Sequence, residues 1–358
     1  MAHLQPMAVA AALAAEAGFD DLIDVRSPAE FAEDHLPSAV NWPVLDDEER
    51  RRVGTLYVQT SPLAARKLGA ALVARRIAAL LEAQVLDRPR EWRPLVYCWR
   101  GGQRSGSLAL VLSQIGFRTA QLQGGYKAFR AHVRTELETL PARFAYRVLC
   151  GRTGSGKTRL LQALREAGAQ VLDLEGLARH RGSILGALPG QPQPTQKAFD
   201  TAVWRSLAGF DAARPVFVES ESARIGSLRV PEALLAVLHG PQGRCLRLDT
   251  DDAARIALLL DDYRGSTLDA EPLCKLLDGL VELRGRERVG RWQALARSGR
   301  WPELAAALMA EHYDPLYERS MRRSFSGLAV APAIHLQRGD AAELAATAAA
   351  LMRDSGAA

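Results

Sequence analysis

Short apolar runs alternate with longer amphipathic stretches over the first 140 residues of the chain. DLIDVR (21–26) and PLVYCW (94–99) read as strands, and TAQLQGGYKAF (119–129) as a further strand and turn. SPAEFAEDHL (27–36) has the form of a capped helix start, and SGSLALVLSQIGF (105–117) that of a helix. The alanine-rich run MAHLQPMAVAAALAAEAGF (1–19) reads as a helix leading into this region. AHVRTELETLPARFAY (131–146) reads as its last helix, broken by Pro141, followed by a linker. Strands alternating with helices predict a doubly wound, mainly parallel sheet over residues 1–140.

The pattern restarts at Tyr146. YRVLC (146–150), QVLDLEG (170–176), PVFVESES (215–222) and RCLRLDT (244–250) are strand candidates with helical stretches between them. LPGQPQPTQ (188–196) is too rich in Pro, Gly and Gln for regular structure and reads as a mobile, lid-like loop. From 252 to about 330 the periodicity is almost wholly helical, and IHLQRGD (334–340) is a late strand candidate. Residues 141–358 therefore form a second α/β domain with a helical extension, and neither domain contains an internal repeat.

Bulk properties narrow the class. With 358 residues, 48% hydrophobic and 24% charged, the chain has the make-up of a soluble protein of about two domains. No apolar stretch reaches the roughly 20 residues that span a bilayer, so no membrane partner is expected. The N-terminal run lacks a basic flank and meets Glu16, unlike a signal peptide. Cys98, Cys150, Cys245 and Cys274 lie far apart, without a CxxC pair or a nearby His cluster. That pattern points to a reducing cytoplasm and to no structural metal site. The net charge of +5 favours an anionic partner mildly, but only five residues are lysine, so arginine bias explains part of it.

Two loops carry the chemistry. Gly151-Arg-Thr153-Gly154-Ser155-Gly156-Lys157-Thr158 fits G-x-x-x-x-G-K-[ST] between a strand and a helix. Its backbone N–H groups and helix N-terminus suit phosphate oxygens, Lys157 adds a point charge, and the Thr158 hydroxyl could reach Mg2+. Glu219, at the end of PVFV, is the candidate acidic assistant, with Glu221 a competitor on the same face. His180, Arg181 and Ser183 follow the second strand, where a doubly wound sheet has its ligand crevice.

The second loop is YCWRGGQRSG (97–106). Cys98 ends a strand, and Arg100, Gly101, Gly102, Gln103, Arg104 and Ser105 follow before a helix. Backbone N–H groups of this loop, the helix N-terminus and Arg104 would favour a thiolate and hold an anion against it. The other three cysteines lack such surroundings and read as packing residues.

DLIDVRSPAEFAEDHLPSAVNWP resembles the opening signature of rhodanese domains, at Asp24–Arg26, Glu30–Phe31, His35 and Asn41, although DHLPSA departs from the usual turn. YCWRGGQRSG and LQGGYKAF resemble their active loop and closing signature. Together with GRTGSGKT, HRGSILG, VFVESESARIG and HYDPLY (312–317), the chain is similar to the bacterial tRNA 2-selenouridine synthases over roughly residues 10–340. The resemblance implies a rhodanese-like domain fused to a P-loop NTPase-like α/β domain. It also implies S-geranylation of wobble 2-thiouridine from geranyl diphosphate, then selenation from selenophosphate, with no tightly bound cofactor. Cys98 would deliver selenium, Gly151–Thr158 would hold the diphosphate or a nucleotide, and an enzyme supplying selenophosphate becomes an implied partner.

A tRNA substrate requires a basic surface. RGRERVGRWQALARSGR (284–300) supplies Arg284, Arg286, Arg288, Arg291, Arg297 and Arg300 against one glutamate, with Trp292 positioned to stack on a base. Arg319, Arg322 and Arg323 extend the run. Three competing readings remain open at this level. The chain could be a thiosulfate-type sulfurtransferase, or a phosphatase using the C-x5-R spacing of Cys98 and Arg104 with Asp24 or Glu30 as acid. It could also be a nucleotide-gated RNA-binding module without chemistry.

Overall fold

Two five-stranded sheets, parallel throughout, organise the chain in the computed structural model, which describes residues 5–14, 18–183, 186–188, 190–263 and 269–355. The chain divides into two units, Met1–Glu136 and Leu137–Ala358. Both are of the α/β class expected from the alternating pattern. Parallel sheets bury both faces, so their strands are continuous apolar runs rather than alternating ones.

In the first unit the order along the chain is β1 (Gln5–Met7), α1 (Val9–Ala14), β2 (Asp21–Asp24), α2 (Pro28–Glu33), β3 (Ala39–Asn41), α3 (Asp47–Gln59) and α4 (Pro62–Gln84). Then come β4 (Pro94–Tyr97), α5 (Gln103–Ile115), β5 (Ala120–Leu122) and α6 (Gly125–Thr139). The sheet order is β1-β5-β4-β2-β3. The connection from β2 runs to one side and that from β4 to the other, which opens a crevice at their carboxyl ends. Ile23, Val96, Leu108, Leu112 and the stacked pair Trp42–Trp92, 5.9 Å apart, form the core.

The N-terminal run corrects one expectation. Gln5–Met7 is a strand pairing parallel with β5, and the helix covers only Val9–Ala14 among the described residues. Pro6 cannot donate a hydrogen bond, which an edge strand tolerates and a helix interior does not. The turn expected after β5 also proves to be the start of α6, at Gly125.

The second unit contains β6 (Tyr146–Cys150), α7 (Lys157–Glu166), β7 (Gln170–Leu172), α8 (Leu174–Ala178), α9 (Gln196–Ala208), β8 (Val216–Glu219), a hairpin of β9 (Arg224–Ile225) and β10 (Leu228–Arg229), α10 (Glu232–His239) and β11 (Gly243–Thr250). Its sheet order, β12-β11-β6-β8-β7, includes β12 (Ala333–Leu336), and α17 (Ala341–Ser355) follows. Connections leave β6 and β11 toward opposite sides, so the phosphate loop after β6 lies at the switch point. Between residues 188 and 196 the expected loop is tied down: Gln193 Nε2 donates to Ala178 O and Ile225 O, at 3.2 and 2.9 Å.

The helical extension comprises α11 (Asp252–Tyr263), α12 (Ala270–Asp278), α13 (Val281–Arg284), α14 (Arg286–Arg297), α15 (Trp301–Leu308), a π turn (Met309–Tyr313) and α16 (Asp314–Ser324). It has a core of its own, with Cys274, Leu277, Leu304 and Leu308 around Trp292. No helix among the described residues is long and apolar enough to cross a membrane.

Candidate functional site

Cys98 directly follows β4 and is 4% exposed. Ser105, in the first turn of α5, donates its hydroxyl to Cys98 Sγ at 3.2 Å. Gln121 of β5 directs that hydroxyl: its Nε2 donates to Ser105 Oγ at 2.9 Å and to Gly101 O at 2.9 Å. The loop also rests on the start of α6, where Tyr126 N donates to Cys98 O and Lys127 N to Trp99 O, both at 2.9 Å. Two glycines make this close approach feasible. A Cβ on Gly101 (φ +63°) would stand 2.4 Å from Leu122 O, and one on Gly125 (φ +56°) would stand 2.2 Å from Cys98 O. Among the described residues, no protein acceptor engages the backbone N–H of Arg100, Gly101 or Gly102. These N–H groups lie at the N-terminus of α5, where donors without an intrahelical acceptor suit a negatively charged group.

The loop's arginines differ from one another. Arg100 is exposed. Arg104, expected to favour a thiolate, instead gives its guanidinium to Glu30, Nη1 to Oε2 at 2.7 Å. Burial works against the Glu30 carboxylate, yet Arg104's hydrogen bond and charge hold it below the usual carboxylate range. Arg104 therefore fastens α5 to α2 rather than serving as a free cation beside sulfur. The remaining signature residues also brace the crevice. Buried Arg26 bonds Asp24 (Nη2 to Oδ2, 2.6 Å) and Asp34 O (2.7 Å), and lies 3.9 Å from the Tyr126 ring centroid. Asp24, so paired, and Glu30 are poor candidates for the acid a phosphatase requires.

In the second unit, Gly151–Thr158 forms the expected loop between β6 and α7. Gly154 (φ +78°) and Gly156 (φ +86°) adopt left-handed conformations that suit glycine, and a Cβ on Gly154 would meet Leu259 at 2.8 Å. Lys157 Nζ donates to Gly151 O at 2.6 Å and sits 5.7 Å from the Tyr317 ring centroid. Two further residues fix the loop's carbonyls. Arg255 donates to Thr153 O at 2.8 and 3.0 Å, and Thr250 Oγ1 donates to Ser155 O at 3.0 Å.

The acidic assistant is a cluster. Thr158 Oγ1 donates to Glu175 Oε2 at 3.1 Å, and Glu175 N donates to Glu219 Oε1 at 2.8 Å. Glu219, 1% exposed, is pushed well above the carboxylate range by burial and then by the charge of Glu175. Burial pushes the Glu221 carboxyl up to about 8, with Glu175 adding to the shift. Glu219 thus braces Glu175 from beneath, while Glu175 and Glu221 face the cleft. Thr158 and Glu175 present oxygen donors suited to Mg2+, whose other ligands would be diphosphate oxygens and water. Among the described residues, no three His, Cys, Asp or Glu side chains gather around a metal position.

A cleft of about 1220 Å³ opens over this loop. Lys157, Thr158, Arg181 and Ser183 are among the polar residues that line it, and Leu259, Leu316, Met321, Phe325 and Leu344 among the apolar ones. His180 does not join them. It is 9% exposed, its ring stands close against Gly186 and Gly226, and burial lowers its pKa.

The arginine-rich stretch is the largest correction. Trp292, expected to stack on a base, is fully buried at the centre of the extension's core. Its apolar neighbours follow from helical spacing, which places Val289, Trp292 and Ala296 on one inward face. Most of the arginines are paired with acids. Arg288 and Arg291 bond Glu311 at 3.2 and 2.6 Å, Arg297 bonds Glu271 at 3.0 Å, and Arg300 bonds Glu303 at 3.1 Å. Arg284 turns to His312. Arg286, Arg319 and Arg323 remain exposed, and the side chain of Arg322 lies outside the described residues.

Glu175, Arg255, His312, Asp314 and Tyr317 were not named as site residues from sequence. The last three belong to HYDPLY, whose polar and aromatic composition inside a helical stretch was the available signal.

Comparison with known proteins places both units. Residues 144–273 match the family model of the tRNA 2-selenouridine synthase AAA domain, and residues 8–132 that of the rhodanese-like domain. The tRNA 2-selenouridine synthase of Hydrogenovibrio crunogenus is 35% identical over 336 residues, covering 84% of this chain and 89% of that protein. That of a Sulfurovum species is 35% identical over 356 residues, covering 91% and 93%. The Shewanella denitrificans protein of the same name is 39% identical over 249 residues, covering 68% and 65%.

Proposed function

The chain belongs to the tRNA 2-selenouridine synthase family and is a tRNA-modifying transferase, and on that premise we propose how its two anion loops divide the reaction. The phosphate-loop cleft takes geranyl diphosphate and the wobble 2-thiouridine. The sulfur attacks C1 of the geranyl group, a C–S bond forms, the C–O bond breaks, and the proton of N3 is lost with the departing diphosphate. The cysteine loop takes selenophosphate. The selenium of selenophosphate then attacks C2, geranylthiolate leaves as the C2–S bond breaks and takes up a proton, and water cleaves the Se–P bond, giving 2-selenouridine, geranylthiol and phosphate.

S-alkylation makes this order chemically sensible. A thiocarbonyl sulfur leaves poorly, whereas an alkylated one departs as a thiolate and leaves C2 more electrophilic. Lys157 and the N–H groups opening α7 stabilise the negative charge gathering on the diphosphate. Cys98, with Ser105 and the free N–H groups at the α5 N-terminus, receives the selenium donor. A selenophosphate-forming enzyme is the partner such chemistry requires.

One observation supports the reading: a single cleft is lined by the phosphate loop and also by the apolar side chains of Leu259, Leu316, Met321, Phe325 and Leu344. A nucleotide would use the loop but has less need of these apolar side chains than a ten-carbon isoprenoid has. The test incubates the protein with 2-thiouridine tRNA, geranyl diphosphate and selenophosphate and follows nucleoside mass. The expected products are S-geranylated and then selenated uridine. Lys157→Ala should lose the first, and Cys98→Ser only the second. An absence of both products with the unaltered chain, or full activity in Cys98→Ser, would remove the reading.

A further inference from the structure

His312 lies in the π turn Met309–Tyr313 and lines the cleft. π segments replace regular helical hydrogen bonding and recur at functional sites. Arg284, the last residue of α13, holds this histidine by two donations: Nε to Nδ1 at 3.1 Å and Nη2 to the His312 carbonyl at 3.1 Å. A guanidinium has donors only, so Nδ1 must carry a lone pair and the ring's single proton must reside on Nε2.

From this geometry we propose that His312 is a fixed, uncharged Nε2–H donor to the nucleobase in the cleft, and that Arg284 is the residue positioning it. The proposal rests on the cleft's assignment to 2-thiouridine above.

The surroundings keep the ring neutral. Burial and then the Arg284 charge lower its pKa. The Trp292 and Tyr313 rings meet it edge-on, with centroids 6.3 and 4.8 Å away, and bring no charge. Glu311, the neighbouring acid, is taken by Arg288 and Arg291 of α14. Nδ1 is held by Arg284 and Nε2 carries the proton, so the histidine has no lone pair left to act as a base. An anionic diphosphate would be better served by a cation. A neutral donor beside an arginine instead suits an uncharged heterocyclic carbonyl. Donation to O4 of the thiouracil ring makes N3–H more acidic, which favours loss of its proton to the departing diphosphate as the C–S bond forms.

Two measurements decide it. In the 15N-histidine-labelled full chain, His312 should show the Nε2–H tautomer, unchanged from about pH 5.5 to 8.5, and should titrate near neutrality in Arg284→Met. An Nδ1–H tautomer, or titration in the unaltered chain, would overturn the proposal. With a 2-thiouridine anticodon stem-loop RNA and geranyl diphosphate, His312→Phe should lose about 10- to 100-fold in kcat/KM for the RNA. His312→Gln, whose amide reaches the Nε2 position, should recover most of that loss, with KM for geranyl diphosphate unchanged. Equal losses in both variants, or a loss falling on geranyl diphosphate alone, would mark His312 as a packing residue. If the unaltered chain alkylates nothing, the reaction assigned above fails instead, and the affinity of the same variants for the stem-loop RNA decides the donor.

Discussion

Arg255 and Asp314 form a fork-to-fork ion pair, Nη2 to Oδ1 at 2.6 Å and Nη1 to Oδ2 at 2.9 Å. The same guanidinium donates twice to the Thr153 carbonyl, and Arg152 adds a contact to Asp314 at 3.3 Å. An aspartate from the start of α16 thus holds the phosphate loop's shape through an arginine of α11. Because His312 lies two residues earlier, one short motif fastens the loop and also supplies a cleft residue.

Asp314→Ala leaves the fully buried Arg255 without its bidentate partner. Removal of one member of a buried pair costs about 3–5 kcal/mol, and the remaining contact to Asp252 places the outcome at the lower end. Chemical denaturation should detect the loss. Substrate titration should show a raised KM for geranyl diphosphate.

Gly125→Ala tests the support of the cysteine loop from outside it. The added Cβ would lie 2.2 Å from Cys98 O and 2.5 Å from Gly101 N, in a left-handed conformation. Strain of this kind costs about 1–3 kcal/mol. Selenation should fall far more than geranylation, as nucleoside mass would show.

Glu221 should leave a signature in pH-dependent stability. Its carboxyl is raised from 4.5 to about 8, so over that interval the folded chain keeps a proton that the unfolded chain releases. Stability therefore falls as pH climbs from 4.5 toward 8 and levels off above it. Glu221→Gln should flatten part of this slope and raise the melting temperature most at the alkaline end. An unchanged slope in the variant would contradict the assignment.

The basic surface is expected to act through its exposed members, for which no acidic partner stands among the described residues. Arg286→Ala, Arg319→Ala and Arg323→Ala should weaken tRNA binding, each reducing the slope of log K against log salt by about 1. Trp292→Ala should instead cost about 3–5 kcal/mol of stability. Trp292→Leu, which keeps an apolar core side chain but cannot stack on a base, should leave tRNA affinity of the folded chain unchanged.

The sequence by itself determined the two α/β domains, the phosphate loop and the cysteine loop. Each of these depends on contiguous residues. Strand periodicity is local, and the G-x-x-x-x-G-K-T spacing and a cysteine before two glycines and a helix start each mark their loop in contiguous sequence. Tertiary structure decided the partners. Arg104 looked like a free cation until Glu30, 74 residues away, was found bonded to it. Trp292 and its flanking arginines looked like an RNA face because charge is visible in sequence, whereas the inward face of α14 depends on which helices pack against it. Glu175, Arg255, His312 and Asp314 acquired roles only through contacts across more than 15 residues of chain, from the 17 separating Thr158 and Glu175 to the 162 separating Arg152 and Asp314. Side-chain charge is a property of composition, but the group that neutralises it, and whether its ring faces solvent, core or cleft, is set by packing.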